Sequence, residues 1–275
     1  MTRVICFFSS VGKIGHFRVA HESFRRFHSD IPVYLLLCDD PKLSNSLNLP
    51  SDVNVITYDN CLAPNIPEAL LKYGYQSGLM RLMIIKHVMN LGYKKIICLD
   101  SDMEIFDTLD NIYYKLDRND IIVTPHISDP LPNDGLHPSM EGLVSAGNYN
   151  SAFYACNSST QSRNFLDWWY EISLLKGDLS PRDNHFAEQG WLRFVGDFVD
   201  NVLVLRDSGY NVAYWNVMQR DLQLLNEKWH TKDGPLVIYH HSGLENASKM
   251  SKYQNRYLAA GTYKEFLQSY LDRTQ

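Results

Sequence analysis

The apolar run Lys95, Ile96, Ile97, Cys98, Leu99 ends in two carboxylates one residue apart, Asp100 and Asp102, with Ser101 between them. In an extended strand the side-chain period is two, so Asp100 and Asp102 project to the same side and can share one cation. Oxygen ligands at that spacing leave coordination positions open for phosphate oxygens. A divalent ion held there neutralises the charge that develops when a nucleoside diphosphate leaves. Asp-x-Asp alone also describes two solvated carboxylates in a turn, and it is the apolar strand before the pair that favours the metal site.

These carboxylates need a scaffold, and the chain is long enough to build one. Its 275 residues bury a large core in one sizeable domain or two small ones. The hydrophobic share of 45% and charged share of 21% are ordinary for a soluble globular enzyme. Net charge is -5 and the basic residues are scattered, which argues against nucleic acid as a partner. No apolar run approaches the roughly 20 residues needed to span a bilayer, which leaves only peripheral membrane contact open. Val4 to Phe8 is too short for a secretory segment and reads as a first strand, so a cytoplasmic location is expected. Cys6, Cys38, Cys61, Cys98 and Cys156 are far apart with no Cys-x-x-Cys pair, and are expected to be reduced and structural.

Short apolar runs alternate with helical stretches. Strands are expected at Val4 to Phe8, Val33 to Cys38, Val53 to Thr57, Lys95 to Leu99 and Ile121 to Thr124, and helices at Val19 to Phe27 and Ser77 to Leu91, the latter stopped by Gly92. This alternation implies a mostly parallel sheet covered on both faces, whose ligands bind beyond the carboxyl ends of the strands. Asp100 and Asp102 sit at such an end. Ser158 to Leu175 reads as a further helix, with Trp168 and Trp169 as core, and Thr262 to Glu265 is a capping-box pattern opening a last helix to about Arg273. Between Thr124 and Tyr149 lies a long loop containing His126, Asp134 and His137, of a kind that often forms a lid.

Five segments in order carry a resemblance. They are the helix bearing Arg81 ahead of Leu99 to Asp102; Tyr149 to Phe153, on to Asn157; Glu188 to Trp191; Tyr210 to Asn216; and Tyr239 to Gly243. From about Arg3 to Arg256 the chain resembles nucleotide-sugar-dependent glycosyltransferases of the GT-A fold. It is most similar to the family-eight type, with its glycogenin and bacterial lipopolysaccharide galactosyltransferase relatives, and to allied bacterial polysaccharide enzymes.

The resemblance implies a single α/β domain with a Rossmann-like, mostly parallel central sheet and helices on both faces. Residues 1–125 would form its nucleotide-binding part and residues 126–275 its acceptor-binding part and closing segment. It also implies that Asp100, Asp102 and His240 bind Mn2+, or Mg2+, for a nucleoside-diphosphate sugar. A mixed imidazole and carboxylate shell favours manganese. Strand alternation turns the neighbouring His241 away.

Arg81, Ser101, Asn150, Lys252 and Arg256 fall where the family contacts the donor. The family's usual late lysine is replaced by Asn246, which moves the phosphate role to Lys252 or Lys249. Glu188 and Gln189 stand in place of a family Asp-Gln pair near the donor sugar's anomeric carbon, where a charge-deficient transition state needs negative or dipolar groups. Asn211, Tyr214, Trp215 and Asn216 fit an acceptor shelf or, equally, core packing. Retaining transfer of a hexose from a UDP-sugar to a saccharide, in polysaccharide or lipopolysaccharide synthesis, is what the family implies. The alternatives are a sugar-phosphate nucleotidyltransferase, of whose Gly-rich loop Ser9 to Gly15 is only a faint version, and a non-catalytic carbohydrate-binding protein.

Overall fold

In the computed structural model, which describes residues 2–39, 42, 47–58, 60–61, 76–135, 138–176, 187–244 and 263–275, the centre is a seven-stranded sheet. Its strands, in chain order, are β1 (Arg3–Ser9), β2 (Val33–Leu37), β3 (Val53–Thr57), β4 (Lys95–Asp100), β6 (Ile121–Pro125), β7 (Tyr149–Asn157) and β8 (Val202–Val204), in spatial order β3-β2-β1-β4-β7-β6-β8. The pairs β1–β2, β2–β3, β1–β4 and β6–β8 are parallel, and β7 runs antiparallel to both β4 and β6. Helices cover both faces, which is why β1 is buried from Val4 to Phe8 and β4 from Lys95 to Leu99 rather than alternating with polar residues.

On one face, α2 (Gln76–Asn90) and α5 (Thr160–Lys176) pack Met80, Ile84, Val88, Phe165 and Trp169 against Cys6, Ile96, Val123 and Tyr154. On the other, α1 (Ile14–Arg25) and α3 (Asp110–Lys115) pack Phe17, Phe24, Ile112 and Tyr113 against Ile5, Phe7, Ile97 and Phe153. Cys6, Cys98 and Cys156 are buried in these layers, and all five cysteines are free. No helix among the described residues is long and apolar enough to cross a membrane.

Three features depart from the sequence reading. The long loop after β6 contains a helix, α4 (Met140–Ala146), whose N-cap Ser139 accepts from the Gly142 N–H, and Gly147 ends it at φ 96°. Two turns of helix are too short to announce themselves by periodicity. The segment Tyr149 to Asn157 is a full central strand. Finally, β4 ends at Asp100, Ser101 and Asp102 form a turn, and β5 (Met103–Ile105) begins after it, so the two carboxylates do not share one extended strand.

The remaining elements are short. After α6 (Val195–Phe198) and α7 (Val217–Arg220) come β9 (Gln223–Leu225), β10 (Lys228–Thr231) and β11 (Gly234–Pro235), which form a small sheet. β12 (Ile238–His240) pairs antiparallel with β5, and α8 (Tyr263–Thr274) closes the chain against α1.

Candidate active site

The Ser101–Asp102 turn and the β5–β12 ribbon bring Asp100, Asp102 and His240 together beyond the carboxyl end of β4. One ligand atom from each lies within 4.8 Å of the others. The ribbon's register sets His240 opposite Met103, and the His241 N–H donates to the Asp102 carbonyl at 2.9 Å, so the two ligand-bearing residues are tied through backbone. His240 Nε2 is 3.2 Å from Asp102 Oδ1, yet Oδ1 makes no hydrogen bond among the described residues. Two donors at right angles around a cation with bonds of about 2.2 Å stand roughly 3.1 Å apart, so the spacing and the orphaned oxygen fit a divalent ion. Burial works against ionisation of Asp102, but His240, with Lys13 and His16, holds its carboxyl well below the usual range.

Arg81 is buried beneath this group. Its Nη2 donates to Asp100 Oδ1 at 2.6 Å, and its Nη1 donates to Ser151 Oγ at 2.7 Å and to Glu188 Oε1. Burial disfavours its charge, but Asp100 and Glu188 outweigh that and raise its pKa. Glu188, from the 3-10 turn Ala187–Phe194, reaches this position over Gly78 of α2, where an added Cβ would stand 1.8 Å from Glu188 Oε2. Ser101 is buried in the turn between the two carboxylates.

Gln189 faces the same network, and two backbone groups set its amide. Its Oε1 accepts from the Ser151 N–H at 2.9 Å and its Nε2 donates to the Ala146 carbonyl at 2.9 Å. Asn150 donates through Nδ2 to Gln189 Oε1 and to His126 Nε2. His126 Nδ1 faces the Gly147 carbonyl at 2.8 Å, which can only accept, so the proton sits on Nδ1 and Nε2 is the acceptor. Burial depresses the His126 pKa to about 4 and keeps the ring neutral.

The expected acceptor cluster divides. Asn211 adopts a left-handed backbone, φ 52°, and donates to Thr124 Oγ1 and Asn150 Oδ1, while its own Oδ1 is buried without a hydrogen-bond partner among the described residues. Trp215 stands edge-on to His240, ring centroids 5.2 Å apart, and Tyr214 packs against it. Asn216 is different, because both its N–H groups and its oxygen are taken by the backbone of His126, Asn211 and Ala213. It clamps the turn and offers no amide to a sugar. Lys249, Lys252 and Arg256 lie outside the described residues, as does His137.

Sequence reasoning left Ser151 and His16 without roles. Ser151 sits inside the Tyr149 to Phe153 segment, but only folding shows that its hydroxyl joins Arg81, Glu188 and Gln189.

No protein-family profile matches the chain. The uncharacterised protein YfnF of Bacillus subtilis strain 168 is 24% identical over 260 residues, covering 88% of this chain and 82% of YfnF. Among solved structures, the galactosyltransferase LgtC in complex with donor and acceptor sugar analogues is similar at a TM-score of 0.56 and 16% identity, over 94% of this chain and 95% of LgtC. The glycosyltransferase GlyE of Streptococcus pneumoniae TIGR4 is similar at 0.55 and 16% identity, over 99% of this chain and 65% of GlyE. The chain therefore has the fold of these glycosyltransferases.

Proposed function

We propose that the chain is a metal-dependent glycosyltransferase that moves a hexose from a nucleoside-diphosphate sugar, a UDP-hexose, to a saccharide acceptor with retention of configuration, in polysaccharide or lipopolysaccharide synthesis. The observation that carries this reading is the meeting of Asp100, Asp102 and His240 at the carboxyl end of β4, in a fold shared with a galactosyltransferase that binds donor and acceptor analogues. Mn2+ or Mg2+ held by those three residues would supply positive charge against the leaving diphosphate.

The chain's own residues bind and orient. Arg81 pairs with Asp100 and Glu188 and fixes their oxygens. Gln189 holds Ser151 and Asn150 in place on the sugar side. Residues 1–125 take the nucleotide, residues 126–275 take the acceptor through Asn211, Tyr214 and Trp215, and Lys252 and Arg256 meet the phosphates. When acceptor and leaving group share one face of the sugar, the departing phosphate oxygen takes the acceptor proton. No side-chain base is then needed, and catalysis rests on positioning and exclusion of water.

The test is release of nucleoside diphosphate from a panel of nucleotide sugars with Mn2+. Release that stops with chelator and returns with added Mn2+ is expected. Pyrophosphate release from a nucleoside triphosphate and a sugar phosphate, with no turnover of any nucleotide sugar, would assign the chain to nucleotidyl transfer instead.

A further inference from the structure

The ligands Asp102 and His240 sit at one end of a two-stranded ribbon of only three residue pairs, Ile105 with Ile238, Glu104 with Tyr239 and Met103 with His240. A ribbon that short does not hold its own geometry, so its rigidity comes from what packs on it. The residues next to the ligands show what that is. Glu104 is 2% exposed and receives both arms of Arg273, Nη1 to Oε1 at 2.7 Å and Nη2 to Oε2 at 2.9 Å. Its Oε2 also meets His241 Nε2 at 3.2 Å. The His241 ring lies flat on Tyr270, with ring centroids 3.5 Å apart and planes 7° from parallel. Arg273 and Tyr270 both belong to α8.

The same helix also grips the start of α1. Tyr270 Oη bonds His16 Nδ1 at 2.7 Å, and the Thr274 carbonyl presses so closely on Gly15 that a Cβ there would stand 1.9 Å from it. Gly15 and His16 open α1, directly after the Val11–Lys13 turn. One helix is thus bonded to both the ligand ribbon and the first turn of α1.

We propose that α8 is a positioning element for the cation: Arg273 and Tyr270, by fixing Glu104 and His241, set the separation of Asp102 and His240 and so the affinity for Mn2+. This rests on the metal reading above. Arg273 and Tyr270 act through Glu104 and His241 and are positioning residues.

The experiment measures Mn2+ affinity by titration and the Mn2+ spin-resonance spectrum for the unaltered chain, Arg273→Met, Arg273→Lys and the pair Glu104→Gln with Arg273→Met. Removing Arg273 alone leaves a buried carboxylate and risks the fold. The paired variant removes that charge too and keeps the shape. Loss of an outer partner of a metal site typically weakens binding by about 10- to 100-fold. A loss of at least about tenfold is expected in the paired variant at an unchanged cooperative melt, with an altered spectrum and partial recovery in Arg273→Lys. Mn2+ affinity within about twofold of the unaltered chain in the paired variant would overturn the proposal while leaving the metal site standing. No Mn2+ binding by the unaltered chain would overturn both.

Discussion

His240 Nε2 and Asp102 Oδ1 stand 3.2 Å apart in the interior, and Oδ1 accepts no hydrogen bond from it or from any other described group. His240 stands at ion-pair distance but leaves this buried oxygen without a hydrogen bond among the described residues, and a cation held between the two, as proposed above, would satisfy it.

Mn2+ should therefore stabilise the unaltered chain by about 2.7 kcal/mol at 100 times its dissociation constant. Asp102→Ala and His240→Ala should abolish the shift in melting temperature. An equal shift in Asp102→Ala would remove the ion from this position.

Gly78 lies in α2, where an exposed glycine-to-alanine change ordinarily adds about 1 kcal/mol of helix stability. Here the new Cβ would displace Glu188 from Arg81. Gly78→Ala should lower turnover by about tenfold or more, on the order of the 1.5 to 3 kcal/mol of a charged hydrogen bond. Combining it with Glu188→Asp, which withdraws the carboxylate by one methylene, should restore part of the loss. Full activity in Gly78→Ala alone would show that the Arg81–Glu188 pair does not matter to catalysis.

Gln189→Ala leaves the Ser151 N–H and the Ala146 carbonyl without their partner. On the proposed placement of Gln189 beside the donor sugar, its effect should fall on kcat, and the affinity for nucleoside diphosphate alone should stay within about twofold. Steady-state kinetics beside nucleotide titration separates the two. A parallel loss of nucleotide affinity would contradict the placement.

Burial lowers both His126 and His241 from 6.5 to about 4. The unfolded chain then binds protons that the folded chain refuses, so stability rises with pH across that window and is lost as pH falls from about 6.5 to about 4. The full effect is on the order of 3 kcal/mol for each ring. Below that window, Glu104 adds to the loss. Burial raises its pKa, but His241 and Arg273 outweigh it and leave the pKa depressed, so its contribution is present above the ordinary carboxylate range and disappears as pH falls through the folded value. Urea midpoints from pH 7 to pH 4 should fall steadily, less so in His126→Asn. A flat profile in the unaltered chain would contradict the buried neutral rings.

That Asp100 and Asp102 lie together at the end of β4 was legible because it is local: an apolar run ends in two carboxylates one residue apart. The alternation of strands and helices was legible because period two and period 3.6 are written along the chain. His241 facing away from His240 follows from the same alternation. What the chain could not announce lies between residues distant in sequence. Arg81 meets Glu188 across 107 positions and Ser151 across 70, and Glu104 meets Arg273 across 169. The short helix α4 and the Ser101–Asp102 turn also escaped, one for want of length and the other because a single turn residue decides whether two carboxylates share a strand. The Asn216 amide shows the limit most plainly. Its composition suits a sugar contact, and only the backbone groups brought round it by folding decide that it holds a turn instead.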